Sequence, residues 1–255
     1  MNEPPSDFVK DRDRRSPPRV QGTRLVLYYA IALAISAPFN TGIIYKWLNL
    51  ADAFPAAWRP WLFLPAALGP LIAAFVCYRL DRTTIRRIGL FGNDRVGSIL
   101  VAIIPLIAFA IAGYVQGGAR GLLSTAASLC IALLYSLGEE TGWRGYLQDA
   151  LVPWSAWQRY LLVGVLWWAW HARFTNYFEW TVFPLIVIAS AFVLGYAVEK
   201  TRSLLVVASM HAVMMLLTMT GPVSPAFGVA GVATILGWML VGQLRPARPG
   251  AHGGV

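Results

Sequence analysis

Charge is what this 255-residue chain lacks most: 13% of its residues are Asp, Glu, Lys or Arg, where a soluble domain carries about a quarter. Hydrophobic residues make up 57%, and mean hydropathy is +0.57. A chain this short exposes too much surface to hide that apolar content in a core, which excludes a water-soluble globular enzyme. Disorder is excluded as well, because it needs low hydrophobicity and high net charge. Cysteine is nearly missing. Cys77 and Cys130 sit inside apolar runs without metal-ligand spacing, and both read as small buried hydrophobes rather than a disulfide.

Acidic residues are also scarce, 12 against 21 basic ones, for a formal net charge of +9. The basic residues fall in short blocks between apolar stretches, the pattern of loops on an anionic cytoplasmic membrane face, and nucleic acid is not the expected partner. An apolar core close to the N-terminus, as a secretory signal requires, is absent. Residues 1–24 instead read as a disordered basic cytoplasmic tail, followed by a membrane helix that is not removed.

What is present is a succession of apolar runs on the scale of a bilayer crossing, about 20 residues. Five are plain: Leu25–Tyr45, Pro60–Tyr78, Val96–Gly118, Gly121–Gly138 and Trp180–Val198. A shorter one, Tyr160–Trp170, runs into His171 and Arg173, and the uncharged stretch Ser203–Leu244 is divided by Gly221-Pro222-Val223-Ser224-Pro225. The expectation is an all-α polytopic bundle of about eight transmembrane helices over residues 25–244, with a flexible cytoplasmic tail at 245–255. If the N-terminus is cytoplasmic, 17 of the 21 basic residues fall in inner segments, leaving Lys46, Arg59, Arg120 and Arg173 outside. That asymmetry places both termini in the cytoplasm; a bacterial inner membrane is the expected location. No internal repeat of the kind that builds many transporters is visible.

A charged side chain within a membrane helix is costly and calls for a reason. Three places qualify: Glu139-Glu140-Thr141-Gly142-Trp143-Arg144, Trp167-Trp168-Ala169-Trp170-His171, and His211 between Met210 and Ala212. Glu140 and Arg144 are four apart with the acid first, the favourable order for a pair on one helix face. Glu139 is turned about 100° away and can point into the bundle. His171 lies roughly 18 Å along its helix from Arg159, and His211 roughly 13 Å from Arg202. One carboxylate and two imidazoles are thus expected around a cavity open to the cytosol. Such a set can activate water and stabilise an oxyanion, and Glu139, His171 and His211 could equally hold zinc. The residues alone leave these two open. The cluster Met210, Met214, Met215 and Met219 reads as packing or a greasy substrate groove, and Asp149 and Glu179 as ordinary interfacial charges.

Taken in order, Glu139-Glu140-x-x-x-Arg144, Trp167-x-x-x-His171 and His211 resemble the CPBP (ABI) family of intramembrane proteases. That family is typified by type II CAAX prenyl endopeptidases and includes bacterial members linked to bacteriocin self-immunity. The resemblance covers about Leu122 to Leu217, with a looser match at Arg86-Arg87-Ile88-Gly89-Leu90. It implies that Glu139 and His171 activate the attacking water and that His211, with an Asn four residues later, binds the oxyanion, while Glu140 and Arg144 shape the site. Two positions depart from the pattern. Trp167 stands where the family has Phe, and Met215 stands where it has Asn; a thioether donates no hydrogen bond. Thr218 and Asn176 are candidate substitute donors. The implied substrate is a membrane-anchored peptide or protein, lipidated at its C-terminus in the type II CAAX case. The other readings of the same residues are a catalytically silent scaffold or immunity protein and a proton-coupled transporter.

Overall fold

The structure is a computed structural model, which describes residues 22–49, 62–80, 86–219 and 224–245. Helix α1 is Gly22–Asn40 and the short α2 is Ile43–Trp47. A 3-10 turn, Leu64–Ala67, leads into α3, Leu68–Leu80. Helix α4, Arg95–Glu140, continues as a π-helical segment, Thr141–Leu147, and a final turn, α5, Gln148–Ala150. Then follow α6 (Ala156–Trp170), α7 (Tyr177–Thr201), α8 (Leu204–Met219) and α9 (Pro225–Leu244).

Each of the eight apolar stretches read from the sequence contains helix. Four helical segments are long and apolar enough to cross a membrane by length and composition: Gly22–Asn40, Arg95–Ala150, Tyr177–Thr201 and Pro225–Leu244. Arg95–Ala150 is broken at Gly117 and Gly118, the latter with φ 60. Its limbs, 95–116 and 119–140, turn back on one another there. The limbs meet through glycine: a Cβ on Gly121 would collide with the Gly113 carbonyl, and one on Gly113 with Thr125. Close backbone approach through small residues is how helices pack in lipid. The same device joins α1 to α3, where Gly69 rests on Ala32 and Ser36.

Several boundaries differ from expectation. The run Leu25–Tyr45 is not one helix, because the chain turns at Gly42 (φ 70) and separates α1 from α2. The tail boundary at residue 24 is also displaced, since α1 already includes Gly22 to Arg24; residues 1–21 and 246–255 lie outside the described residues. Helix α6 starts earlier than Tyr160, at Ala156, where Gln158 Oε1 accepts from the Ser155 N–H at 3.1 Å. Cys77 is buried, but Cys130 is exposed on the bundle's surface, and neither is in a disulfide.

Two apolar cores result. One gathers Tyr28, Trp143, Tyr146, Trp170 and Leu194 around the π-helical segment; the other packs Phe109, Leu129 and Leu216 between both limbs of α4, α8 and α9. Large apolar side chains such as Leu185, Val115 and Leu240 point outward, as a lipid-facing surface requires.

The two ends of the bundle differ in charge. At one end, Gly89 N–H donates to the Arg202 carbonyl (3.0 Å), Leu204 N–H to the Gly89 carbonyl (2.9 Å), and Arg87 N–H to Asp149 Oδ2 (2.9 Å). Arg245 Nη2 donates to Asp94 Oδ1 at 2.8 Å there as well. Chain direction places Arg24, Arg79, Arg86, Arg87, Arg95, Arg159, Lys200, Arg202 and Arg245 at this end. The opposite end holds the C-terminus of α1, the hairpin of α4 and the junction of α6 with α7. Its described basic residues are Lys46, Arg120 and Arg173.

Candidate active site

Glu139 comes from the second limb of α4, His171 from the C-terminal cap of α6 and His211 from the third turn of α8. All three line one cavity of about 610 Å³, together with Tyr135, Trp167 and Met215, within the usual size of a ligand pocket. The convergence expected from the sequence is thus present in the fold.

Trp167 is the hub. Its indole Nε1 donates to Glu139 Oε2 at 2.7 Å. Its ring carries the Arg144 guanidinium 4.4 Å from the centroid and meets the His211 ring edge-on at 5.1 Å. Its carbonyl accepts from His171 Nδ1 at 2.7 Å. A carbonyl only accepts, so Nδ1 carries the proton and Nε2 of His171 is left as an acceptor. The His171 ring is held edge-on by Phe183 at 4.9 Å and Trp170 at 5.2 Å. Helix α6 ends directly beyond it, with Ala172 in the left-handed region at φ 51, which is costly for a residue with a Cβ.

Glu140 faces a different set of partners. Its Oε1 accepts from Arg144 Nη1 at 2.9 Å and from His211 Nδ1 at 2.9 Å, and Glu140 and Arg144 are fully buried. The expected pair on one face therefore forms, and it also holds His211. Arg144 lies on the π-helical segment, a winding that is often found at functional sites.

Met215 lines the cavity, and its sulfur accepts from Ser136 Oγ at 3.5 Å. Asn176, considered as a substitute donor, is not among the lining residues; its Oδ1 caps α7 by accepting from the Glu179 N–H at 3.1 Å. The side chain of Thr218 lies outside the described residues. Asp149 is no ordinary interfacial charge: it is 6% exposed and holds the Arg87 backbone N–H. Glu179 stands at the cavity's rim, accepting from Thr175 N at 2.7 Å and Oγ1 at 2.8 Å.

One residue escaped the sequence reading. Tyr135 lines the cavity and its hydroxyl lies beside the Glu139 carboxylate. The signal was available, because Tyr135 is four residues before Glu139 and so shares its helix face.

Residues 121–217, which contain every one of these side chains but the rim contributors of α1 and the α3 approach, match the family model "Type II CAAX prenyl endopeptidase Rce1-like". Over this stretch the chain is similar to Rce1-like domains. The resemblance read from Leu122 to Leu217 is borne out over the same residues, and at family level it points to an intramembrane protease. No curated protein matches the chain.

The zinc alternative finds no support in the geometry of the described residues. Among the described residues, no three His, Cys, Asp or Glu side chains are grouped as a metal would need.

The cavity reaches one end of the bundle. Besides the reactive set, its wall includes Asn40, Phe63, Arg173, Phe178 and Glu179, all at the end with few basic residues. His171 is not half-way along its helix; it is the last turn's cap, because α6 ends at Trp170. The cavity opens away from the basic end.

Proposed function

We propose that the protein is an intramembrane endopeptidase that hydrolyses a membrane-anchored peptide or protein by water attack. Glu139 is the general base, with its carboxylate held between the Trp167 indole and the Tyr135 hydroxyl. His171 accepts a hydrogen bond from the same water at Nε2, so that the water is oriented toward the scissile carbonyl. His211, tied to Glu140 through Nδ1, presents Nε2 to the oxyanion and donates to it as imidazolium, whose charge Glu140 balances. Glu140 and Arg144 fix the helix end and do not touch substrate. The observation that carries this reading is the convergence of Glu139, His171 and His211 on one cavity within the Rce1-like match. Purified wild type and Glu139→Ala protein, compared on the same membrane-anchored substrates, test it: the variant is expected to fold and to cut nothing.

A second reading has its own support. Met215 stands where an oxyanion donor is expected and takes a hydrogen bond from Ser136 instead of giving one. Loss of one such donor costs roughly 10²–10³ in rate. A silent scaffold or immunity partner would tolerate that loss, and would bind a membrane partner without cleaving it.

A further inference from the structure

We propose that a polar recess at the basic end of the bundle binds the headgroup of a phospholipid. The headgroup is one whose phosphodiester is followed by hydrogen-bond donors, as glycerol and ethanolamine headgroups are. The recess shares no lining residue with the cavity of Glu139, and its ligand does not depend on the peptidase reading.

Backbone bonds between distant segments build the recess. Besides the two bonds of Gly89, Leu205 N–H donates to the Leu90 carbonyl (3.0 Å) and Asn93 N–H to the Thr201 carbonyl (3.1 Å). These clip the segment after α3 to the junction of α7 with α8, and the Arg87 N–H on Asp149 Oδ2 ties it to α5. Arg87, Gln148, Asp149, Arg159, Glu199 and Arg202 then line a space of about 100 Å³, more than one water needs. Arg202 is held in the left-handed region at φ 57, where glycine would be less costly.

The charges of the recess are only partly spent on one another. Arg159 and Glu199 pair at 2.5 Å, and Glu199 also accepts from Gln148 Nε2 at 3.1 Å and from the Tyr160 hydroxyl at 2.6 Å. Two guanidiniums, Arg87 and Arg202, remain against the single carboxylate of Asp149. Neither guanidinium forms a hydrogen bond or ion pair among the described residues. Two acceptors are left over as well. Asp149 Oδ1 and Gln148 Oε1 have no partner, although these residues are only 6% and 2% exposed. Buried polar atoms without partners are uncommon and costly. The matching ligand accepts from guanidiniums at one end and donates to a carboxylate and an amide oxygen at the other. A phosphodiester brings one negative charge against the one positive charge in excess, and its oxygens suit guanidinium donors. Hydroxyls or an ammonium beyond it supply the protons that Asp149 and Gln148 lack. Choline has none to give.

The surroundings favour a lipid over a phosphate ion from solution. Trp154 and Trp157, at the start of α6 with Arg159, are exposed, and such rings sit at the headgroup level of a membrane. Basic pockets between membrane helices take phospholipid headgroups. On α7, Tyr196 and Phe192 lie three and seven residues before Glu199, on the same helix face, and both are exposed. They offer an acyl chain a track leading away from the recess.

The test uses delipidated full-length protein in a non-ionic detergent. Phosphatidylglycerol, phosphatidylethanolamine and phosphatidylcholine with the same acyl chains are added separately, and inorganic phosphate alone forms a fourth arm. The thermal midpoint and the lipid retained in native mass spectrometry are read for wild type and for the double variant Arg87→Ala, Arg202→Gly. Phosphatidylglycerol and phosphatidylethanolamine are expected to raise the wild-type midpoint and to stay bound, and phosphatidylcholine to do neither. The double variant is expected to bind them at least about tenfold more weakly. Equal effects of phosphatidylcholine, no effect of any lipid, or undiminished binding by the variant overturn the proposal. Inorganic phosphate reproducing the whole rise identifies a free phosphate site and overturns the lipid assignment. Should the double variant fail to fold, Arg87→Ala alone, at an exposed position, is read by the same criteria.

Discussion

The indole N–H of Trp167 donates to the Glu139 carboxylate at 2.7 Å, joining two helices across the cavity through a bond that Phe at the same position could not make. The aromatic difference from the family pattern is therefore a change in chemistry as well as in size. Losing a hydrogen bond to a charged group costs at least about 1.5 kcal/mol, or roughly tenfold. Trp167→Phe is expected to lower kcat about tenfold with KM little changed. Tyr135→Phe, which removes the hydroxyl beside that carboxylate, is expected to act likewise. The double variant should be weaker than either, as steady-state kinetics on one peptide would read.

Glu140 and Arg144 do a different job from Glu139, and stability separates the two. Removing one partner of a buried ion pair leaves the other charge unpaired, at a cost of about 3–5 kcal/mol. Arg144→Ala is expected to lower the thermal midpoint in detergent sharply, while Glu139→Ala leaves it nearly unchanged and abolishes cleavage. Equal midpoints for Arg144→Ala and wild type would contradict the structural role given to the pair.

Position 215 distinguishes a weakened enzyme from a silent one. Met215→Asn supplies an amide donor at the cavity wall beside Ser136. A gain in cleavage rate of up to roughly 10²-fold is expected if an oxyanion donor is what the site lacks. No gain at all, with the variant folded, favours the scaffold reading.

Much of this was legible in the sequence, for physical reasons. Few charges and long apolar runs dictate helices in lipid, and an acid or imidazole inside such a run is too costly to be incidental. So Glu139, His171 and His211 stood out, and the i, i+4 spacing gave the Glu140–Arg144 pair. What the sequence did not disclose depends on where helices stop. Ser155 starts α6 early and Ala172 ends it just past His171, which makes that histidine the helix's C-terminal cap. Tyr135 lies within the apolar run Gly121–Gly138, and only the fold sets it in the cavity beside Glu139. Asp149 looked solvated because its partner, the Arg87 backbone, is distant in sequence.

The clasp between Asp94 and Arg245 at the basic end gives a pH signature. Two hydrogen bonds from the Arg245 side chain and one from the Gly97 backbone hold the Asp94 carboxyl at about 2, below its ordinary 3.8. A depressed carboxylate stabilises the fold above its unfolded value and loses that contribution as pH falls through the folded one. The thermal midpoint of wild type should exceed that of Asp94→Asn at pH 5, and the gap should close between about pH 4 and pH 2. A gap that widens on acidification would contradict the pairing.

The central claim is that Glu139, reaching into a cavity shared with His171 and His211, performs peptide hydrolysis. It is tested most directly by comparing membrane peptides from cells carrying the intact protein with those from cells carrying equal amounts of Glu139→Ala. The account predicts cleavage products present in the first and missing from the second; identical peptide populations would contradict it.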